Sequence, residues 1–220
     1  MSPDSVGESP SKDAAAILEA ALLHVPFDGW GRDVLVAGAS DIGMDSAVVD
    51  ELFPNGAVDA ILMHSALADA AMTDKFATMA DRPEKIHLMI RTLILLRLEH
   101  ANLHKEAIRR GLAVLAVPSN TPASAKALYR TVDAMWRAAG QRDTDFSFYT
   151  KRASLAGVYS ATLLAWLADN SGSMTATEAF LDRRLRDIGQ IPKMTAPVKA
   201  VMTTGKRMAM GLFSTMARSR

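Results

Sequence analysis

The chain has no cysteine among its 220 residues. That absence removes disulfides, thiolate metal ligands and cysteine nucleophiles together, and it suits a reducing compartment. Aromatic side chains are scarce, at 6%. Long apolar runs are missing too. About 18 uninterrupted apolar residues are needed to span a bilayer, and the best stretch, Leu88 to Leu98, is broken by Arg91 and Arg97. No G-x-S-x-G elbow, phosphate-binding loop or dinucleotide glycine pattern occurs. The glycines that flank Trp30 lack a following strand, and no carboxylate pair stands out as a general acid and base. No enzyme activity and no cofactor are expected from this chain. Its first dozen residues carry Asp4 and Glu8 and no apolar core, so neither a secretory nor an organelle-targeting segment is expected there.

What is present is apolar and helical. Hydrophobic residues make up 49% of the chain, enough for one well-packed domain with a tail. They recur at spacings of three and four, which predicts an all-α fold. Helices are expected at Ala14–Val25 (capped by Ser11 or Asp13), Arg32–Asp41, Asp45–Phe53, Ala57–Met79, Glu84–His100, Lys105–Ala116, Ala123–Ala139, Asp145–Ala168 and Thr175–Ile188. Gln190-Ile191-Pro192 then breaks the chain before a last helix at Ala196–Ala217. The domain plan is a disordered N-terminus (1–12), a three-helix head (13–55), a helical body (56–190) and a tail (196–220).

The net charge of +1 hides an asymmetry. Residues 1–60 hold two basic side chains, Lys12 and Arg32, against eleven acidic ones, whereas residues 188–220 hold six basic side chains and no acid. On a helical projection of the tail, Met202, Met208, Leu212, Phe213 and Met216 gather toward one side and Lys199, Lys206 and Arg207 toward the other. A cationic polar face opposite an apolar one describes a helix lying in a membrane interface; the alternative is a final amphipathic core helix.

Three short helices before five or six longer ones resemble the TetR-type regulators, which set a helix-turn-helix head on an all-helical, ligand-enclosing body. A DNA-reading head needs Lys, Arg, Asn or Gln at base edges and cations at the backbone. The helix that would enter the groove offers Asp45, Ser46, Asp50 and Glu51 instead, with Asp28, Asp33, Asp41 and Asp59 around it. No nucleic-acid partner is expected. A lipid-sensing transcriptional regulator of TetR type is the rival function.

His100 and His104 lie four apart on a predicted helix, a spacing that can place two imidazoles on one metal. Glu99 and Glu106 are near, but no third ligand follows at a convincing distance, and the segment reads equally as a solvated face. No metal site is assigned. His24, His64 and His87 read as core-edge or surface residues. The stretches Ile86–Leu98, Leu128–Trp136 and Leu155–Leu167 are rich in Leu, Met and Ala. They form either a filled core or the wall of a cavity for a lipid or isoprenoid tail. The candidate lining is Leu93, Leu96, Leu128, Val132, Leu155, Tyr159 and Leu163.

The segment Met135 to Ala153, M-W-R-A-A-G-Q-R-D-T-D-F-S-F-Y-T-K-R-A, concentrates aromatics on a short turn between two helices. Gly140 closes the first helix, and Thr144 or Asp145 caps the second. This segment resembles the signature of the ubiquinone-biosynthesis lipid-binding accessory proteins, a family with a TetR-like fold. Supporting matches are H-V-P-F-D-G-W at His24–Trp30, L-E-H at Leu98–His100 and V-P-S-N-T-P at Val117–Pro122, and the likeness covers roughly residues 14–205.

The resemblance implies a non-enzymatic protein that binds isoprenoid or other lipid in its helical body and assists the di-iron hydroxylase acting late in ubiquinone synthesis. It implies a hydroxylase-binding patch at Met135, Trp136, Asp145, Phe148, Tyr149 and Arg152. Where better-known members have D-F-x-W-Y, this chain has Phe148, which keeps an apolar face but lacks the indole N–H donor. A membrane-attaching C-terminal helix is also implied, in agreement with the tail's own pattern. The expected setting is the inner face of a bacterial membrane. By analogy with the fold, a homodimer through the last two body helices is expected.

Overall fold

A computed structural model of the protein describes residues 11–141 and 147–187, with the side chains of residues 147–149 outside the description. Among these residues every regular element is helical. The helix α1 (Lys12–Ala21) starts at Ser11, whose hydroxyl accepts from the Ala14 amide at 3.1 Å. The predicted first helix ran on to Val25. It stops at Ala21 because Pro26 has no N–H to continue the ladder and its ring would strike the preceding turn. A separate short helix, α2 (Val25–Asp28), begins there with Pro26 in its first turn, where the missing N–H costs nothing.

The helix α3 (Arg32–Asp41) falls where the periodicity put it. It crosses α1 so closely that a Cβ on Gly38 would lie 2.6 Å from the Ala21 nitrogen and 2.7 Å from the Ile17 carbonyl oxygen. The next helix is shorter than expected, α4 (Ala47–Leu52), because Asp45 turns back to accept from the Ala47 amide at 2.9 Å rather than joining it. Ile17, Leu18, Val25, Leu35, Val49 and Phe53 bury one core in this head. Ala60 and Ala107 of the body complete it, so the head is packed onto the body rather than tethered to it.

The body holds α5 (Ala57–Ala77), α6 (Ile86–Ala101), α7 (Lys105–Leu115), α8 (Thr121–Ala138) and α9 (Ser147–Ala168). Helical residues 175–187, here α10, follow. α5 packs against both α6 and α8, and α8 against α9. The helix expected from Glu84 starts later: the chain stays extended at Lys85 and turns helical at Ile86. Arg91 of α6 reaches Asp182 at 2.6 Å and Glu178 at 3.0 Å, which fixes α10 on the body.

Gly140 ends α8 with φ at 76°, a conformation that costs other residues a steric penalty. Its N–H donates to the Arg137 carbonyl, and that of Gln141 donates to the Trp136 carbonyl. This paired closure satisfies two carbonyls that the helix end would otherwise leave bare. The body core is built on Met72, Phe76, Leu93, Ile94, Leu98, Met135, Trp166 and Leu181.

Candidate functional site

A cavity of about 160 Å³ lies inside the body, walled by α5, α6, α7, α8 and α9 and floored by Trp30 of the head. Its two sides differ. Ile61, Ile108, Leu112, Leu115, Leu128 and Leu163 give an apolar side; His64, Ser65, Arg97, Thr131 and Tyr159 give a polar one. Trp30 is fixed by its indole N–H, which donates to the Ala107 carbonyl at 2.8 Å. On α8, Leu128 also borders a second hollow of about 270 Å³ between α8 and α9, lined by Ala125, Tyr129, Val132, Arg152, Ala153 and Ala156.

The polar side is organised around a buried ion pair. Arg97 Nε donates to Asp69 at 2.9 Å, and both side chains are nearly inaccessible. Asp69 also accepts from the Thr131 hydroxyl at 2.9 Å and from Arg130 Nε at 3.3 Å. Arg97 Nη2 reaches Ser65 at 3.4 Å. A buried charge is tolerated only when paired and hydrogen-bonded in this way.

His64 sits beside this pair, between the rings of Trp30 and His104. Burial first, and then the positive charges of Arg97 and its histidine neighbours, push its pKa down to about 4. It is therefore neutral near pH 7. Burial pushes the Tyr159 phenol up, so it keeps its proton.

The predicted lining divides in two. Leu128, Tyr159 and Leu163 face the cavity. Leu93, Leu96, Val132 and Leu155 do not; they belong to the packed core, with Val132 edging the outer hollow. The helical spacing that put these residues on inward faces was right, but inward faces serve core and cavity alike.

The predicted docking patch is corrected at three positions. Met135 is fully buried and Trp136 is 9% exposed, both within the body core. Arg152 is buried too, held by Asp133 at 2.8 Å. Trp136 Nε1 is also buried and has no hydrogen-bond partner among the described residues. Asp145 and the side chains of Phe148 and Tyr149 lie outside the described residues, as does every tail position from Lys199 to Met216.

Sequence reasoning missed Asp69, Arg97 and His64 as a group. Arg97 was visible as a cation set among apolar residues of α6, the pattern of a charge that must find a buried partner. His104 meets His64 with ring centroids 5.6 Å apart, while no group of three metal-binding side chains assembles among the described residues.

Arg32 is committed to Asp50 through two contacts of 2.7 Å, so the short helix α4 presents Asp50 and Glu51 with its nearest arginine already neutralised.

Relatives of the chain agree on one lineage. The family model described as COQ9 matches residues 121–192. The rat protein named ubiquinone biosynthesis protein COQ9, mitochondrial, is 32% identical over 93% of this chain and 67% of its own length. The human protein of the same name is 31% identical over 93% of this chain and 65% of its own. The chain belongs to the COQ9 family.

It spans about two thirds of the length of these relatives. A solved TetR transcriptional regulator from Nitrosomonas europaea ATCC 19718 superposes with a TM-score of 0.62 at 21% identity, over 79% of this chain and 95% of that one. At that identity the likeness shows the fold: a TetR-like all-α architecture, as the helix layout indicated. No described helix is long and apolar enough to cross a membrane.

Proposed function

We propose that this COQ9-family chain serves ubiquinone biosynthesis as a non-enzymatic lipid-binding accessory protein. In this role it holds an isoprenoid-type amphiphile and presents it at a membrane surface to a di-iron hydroxylase. The observation that carries the reading is the cavity beneath Leu128, mostly apolar with one polar side, in a chain of this family.

Volume limits what the cavity can hold. Ligand pockets usually run from about 300 to 1,000 Å³, and about 160 Å³ is room for one ring or a short chain. A long tail has to continue elsewhere, and the hollow between α8 and α9, sharing Leu128 with the cavity, is the nearest apolar path. Each methylene kept from water there is worth about 0.8 kcal/mol.

The tail helix at 196–220 docks on anionic lipid at the inner face of a bacterial membrane, and the aromatic turn after α8 meets the hydroxylase. With Met135, Trp136 and Arg152 buried, contact there falls to Asp145, Phe148 and Tyr149. A homodimer through α9 and α10 remains part of the proposal; Leu164, 62% exposed on α9, is an apolar group available to it.

Organic extraction of the purified protein followed by mass spectrometry tests the central claim. Co-purifying isoprenoid or phospholipid is the expected result. A protein that is consistently lipid-free and takes up no isoprenoid from vesicles overturns it.

A further inference from the structure

The cavity has hydrogen-bonding capacity that the fold leaves unused. Tyr159 makes no hydrogen bond to the described residues although it is buried, and its ring belongs to the cavity wall. His64 makes ring contacts only, so both imidazole nitrogens lack a hydrogen-bond partner among those residues. Arg97 spends Nε on Asp69 and Nη2 on Ser65, and no bond occupies Nη1. Polar atoms that open onto a cavity keep this capacity for whatever fills it, water included. Three such side chains lining one small cavity give a ligand that enters it polar contacts to make.

We propose that this wall is a head-group site for a neutral oxygen acceptor, a ring carbonyl or its equivalent, seated against Tyr159, His64 and Arg97 with its carbon skeleton toward Leu112, Leu128 and Leu163. The inference rests on the lipid-binding reading above and deepens it by naming the part of the ligand the cavity selects.

The donor balance favours an acceptor. A guanidinium only donates, a protonated phenol donates one hydrogen and can also accept, and a neutral imidazole adds one donor beside one acceptor, so donors outnumber acceptors on this wall. Charge excludes the obvious competitor. Asp69 already neutralises Arg97, so a carboxylate head would bring a second anion against a satisfied buried pair. Size agrees as well, since a cavity of about 150 Å³ is known to admit a benzene ring. The head therefore points inward, and transfer to an enzyme requires its withdrawal from the cavity.

Three probes of near-equal shape test this by NMR titration of the full chain: acetophenone, ethylbenzene and phenylacetate. Acetophenone is expected to bind about tenfold more tightly than ethylbenzene, the factor given by one net hydrogen bond of ordinary strength, with phenylacetate weakest. Tyr159→Phe should erase the preference for acetophenone and leave ethylbenzene unchanged. His64→Leu should reduce the preference independently and covers the case in which Tyr159→Phe fails to fold.

Equal binding of acetophenone and ethylbenzene overturns the head-group site while lipid binding stands. So does tightest binding of phenylacetate. If none of the probes binds, but lipid is still recovered by extraction, the cavity is a water-filled part of the core and the ligand lies elsewhere. If none binds and no lipid is recovered, both readings fall.

Discussion

Replacing Asp69 by Asn removes one charge and almost no volume, which makes it a clean probe of the polar wall. Arg97, only 7% exposed in its side chain, pairs with no other carboxylate among the described residues. Losing that partner leaves a buried cation uncompensated, at a cost of about 3–5 kcal/mol. For a chain of this size each kcal/mol lowers the melting temperature by about 2–4 °C, so a fall of about 6–20 °C is expected.

The reverse change should be milder. In Arg97→Met, Asp69 keeps the Thr131 hydroxyl at 2.9 Å and Arg130 at 3.3 Å, the latter 38% exposed and still hydrated. The expected loss is about 1–3 kcal/mol. Because the costs of the single changes come from stranded charges, the double variant should lie closer to wild type than Asp69→Asn alone. Urea denaturation with an unchanged slope measures all three. The argument is refuted if Arg97→Met is the more damaging single change, or if the double variant loses the sum of both.

Stability should also fall below pH 6.5. The unfolded chain takes up a proton on His64 there, whereas the folded chain resists it until about pH 4. The contribution is complete above pH 6.5 and is lost progressively as pH drops toward 4, by about 3 kcal/mol at most. A His64→Gln variant should flatten that part of the curve. Gly38→Ala should cost about 1–3 kcal/mol in chemical denaturation, because α1 and α3 must separate to admit the methyl group. Trp136→Ala should cost about 3–5 kcal/mol, as a core deletion does, whereas Tyr149→Ala should weaken hydroxylase co-purification with helicity intact. Deleting residues 196–220 should abolish sedimentation with anionic liposomes; unchanged binding would remove the tail from the proposal. A gel shift at low salt should show no DNA complex, in keeping with the acidic head.

Helix placement was legible because three- and four-residue spacing reports burial directly. α3 fell on Arg32–Asp41, where the periodicity put it. Boundaries failed where local chemistry overrode periodicity: Pro26 split the first helix, and Asp45 accepted from the Ala47 amide just ahead of α4 instead of entering it. The site was harder. Leu128 and Leu93 have the same side chain at inward positions, yet one lines a cavity and the other a filled core, a distinction made by neighbours remote in sequence. Trp136 was misplaced for a related reason. An aromatic near a helix end can face a partner or its own core, and here Met135, Val132 and Tyr159 share the core that takes it. The polar wall joins residues 64, 97, 131 and 159 across four helices, so no local motif announces it.

Trp30 ties the head to the body at the cavity. It packs against the head core, donates to Ala107 in the body and forms the floor of the cavity. The other two tryptophans, Trp136 and Trp166, are enclosed in the body core. One indole in the chain therefore touches whatever enters the cavity, and it is the same one that fastens the head. Occupancy is written into its emission spectrum without any label, and the same signal reports whether filling the body loosens or tightens its grip on the head.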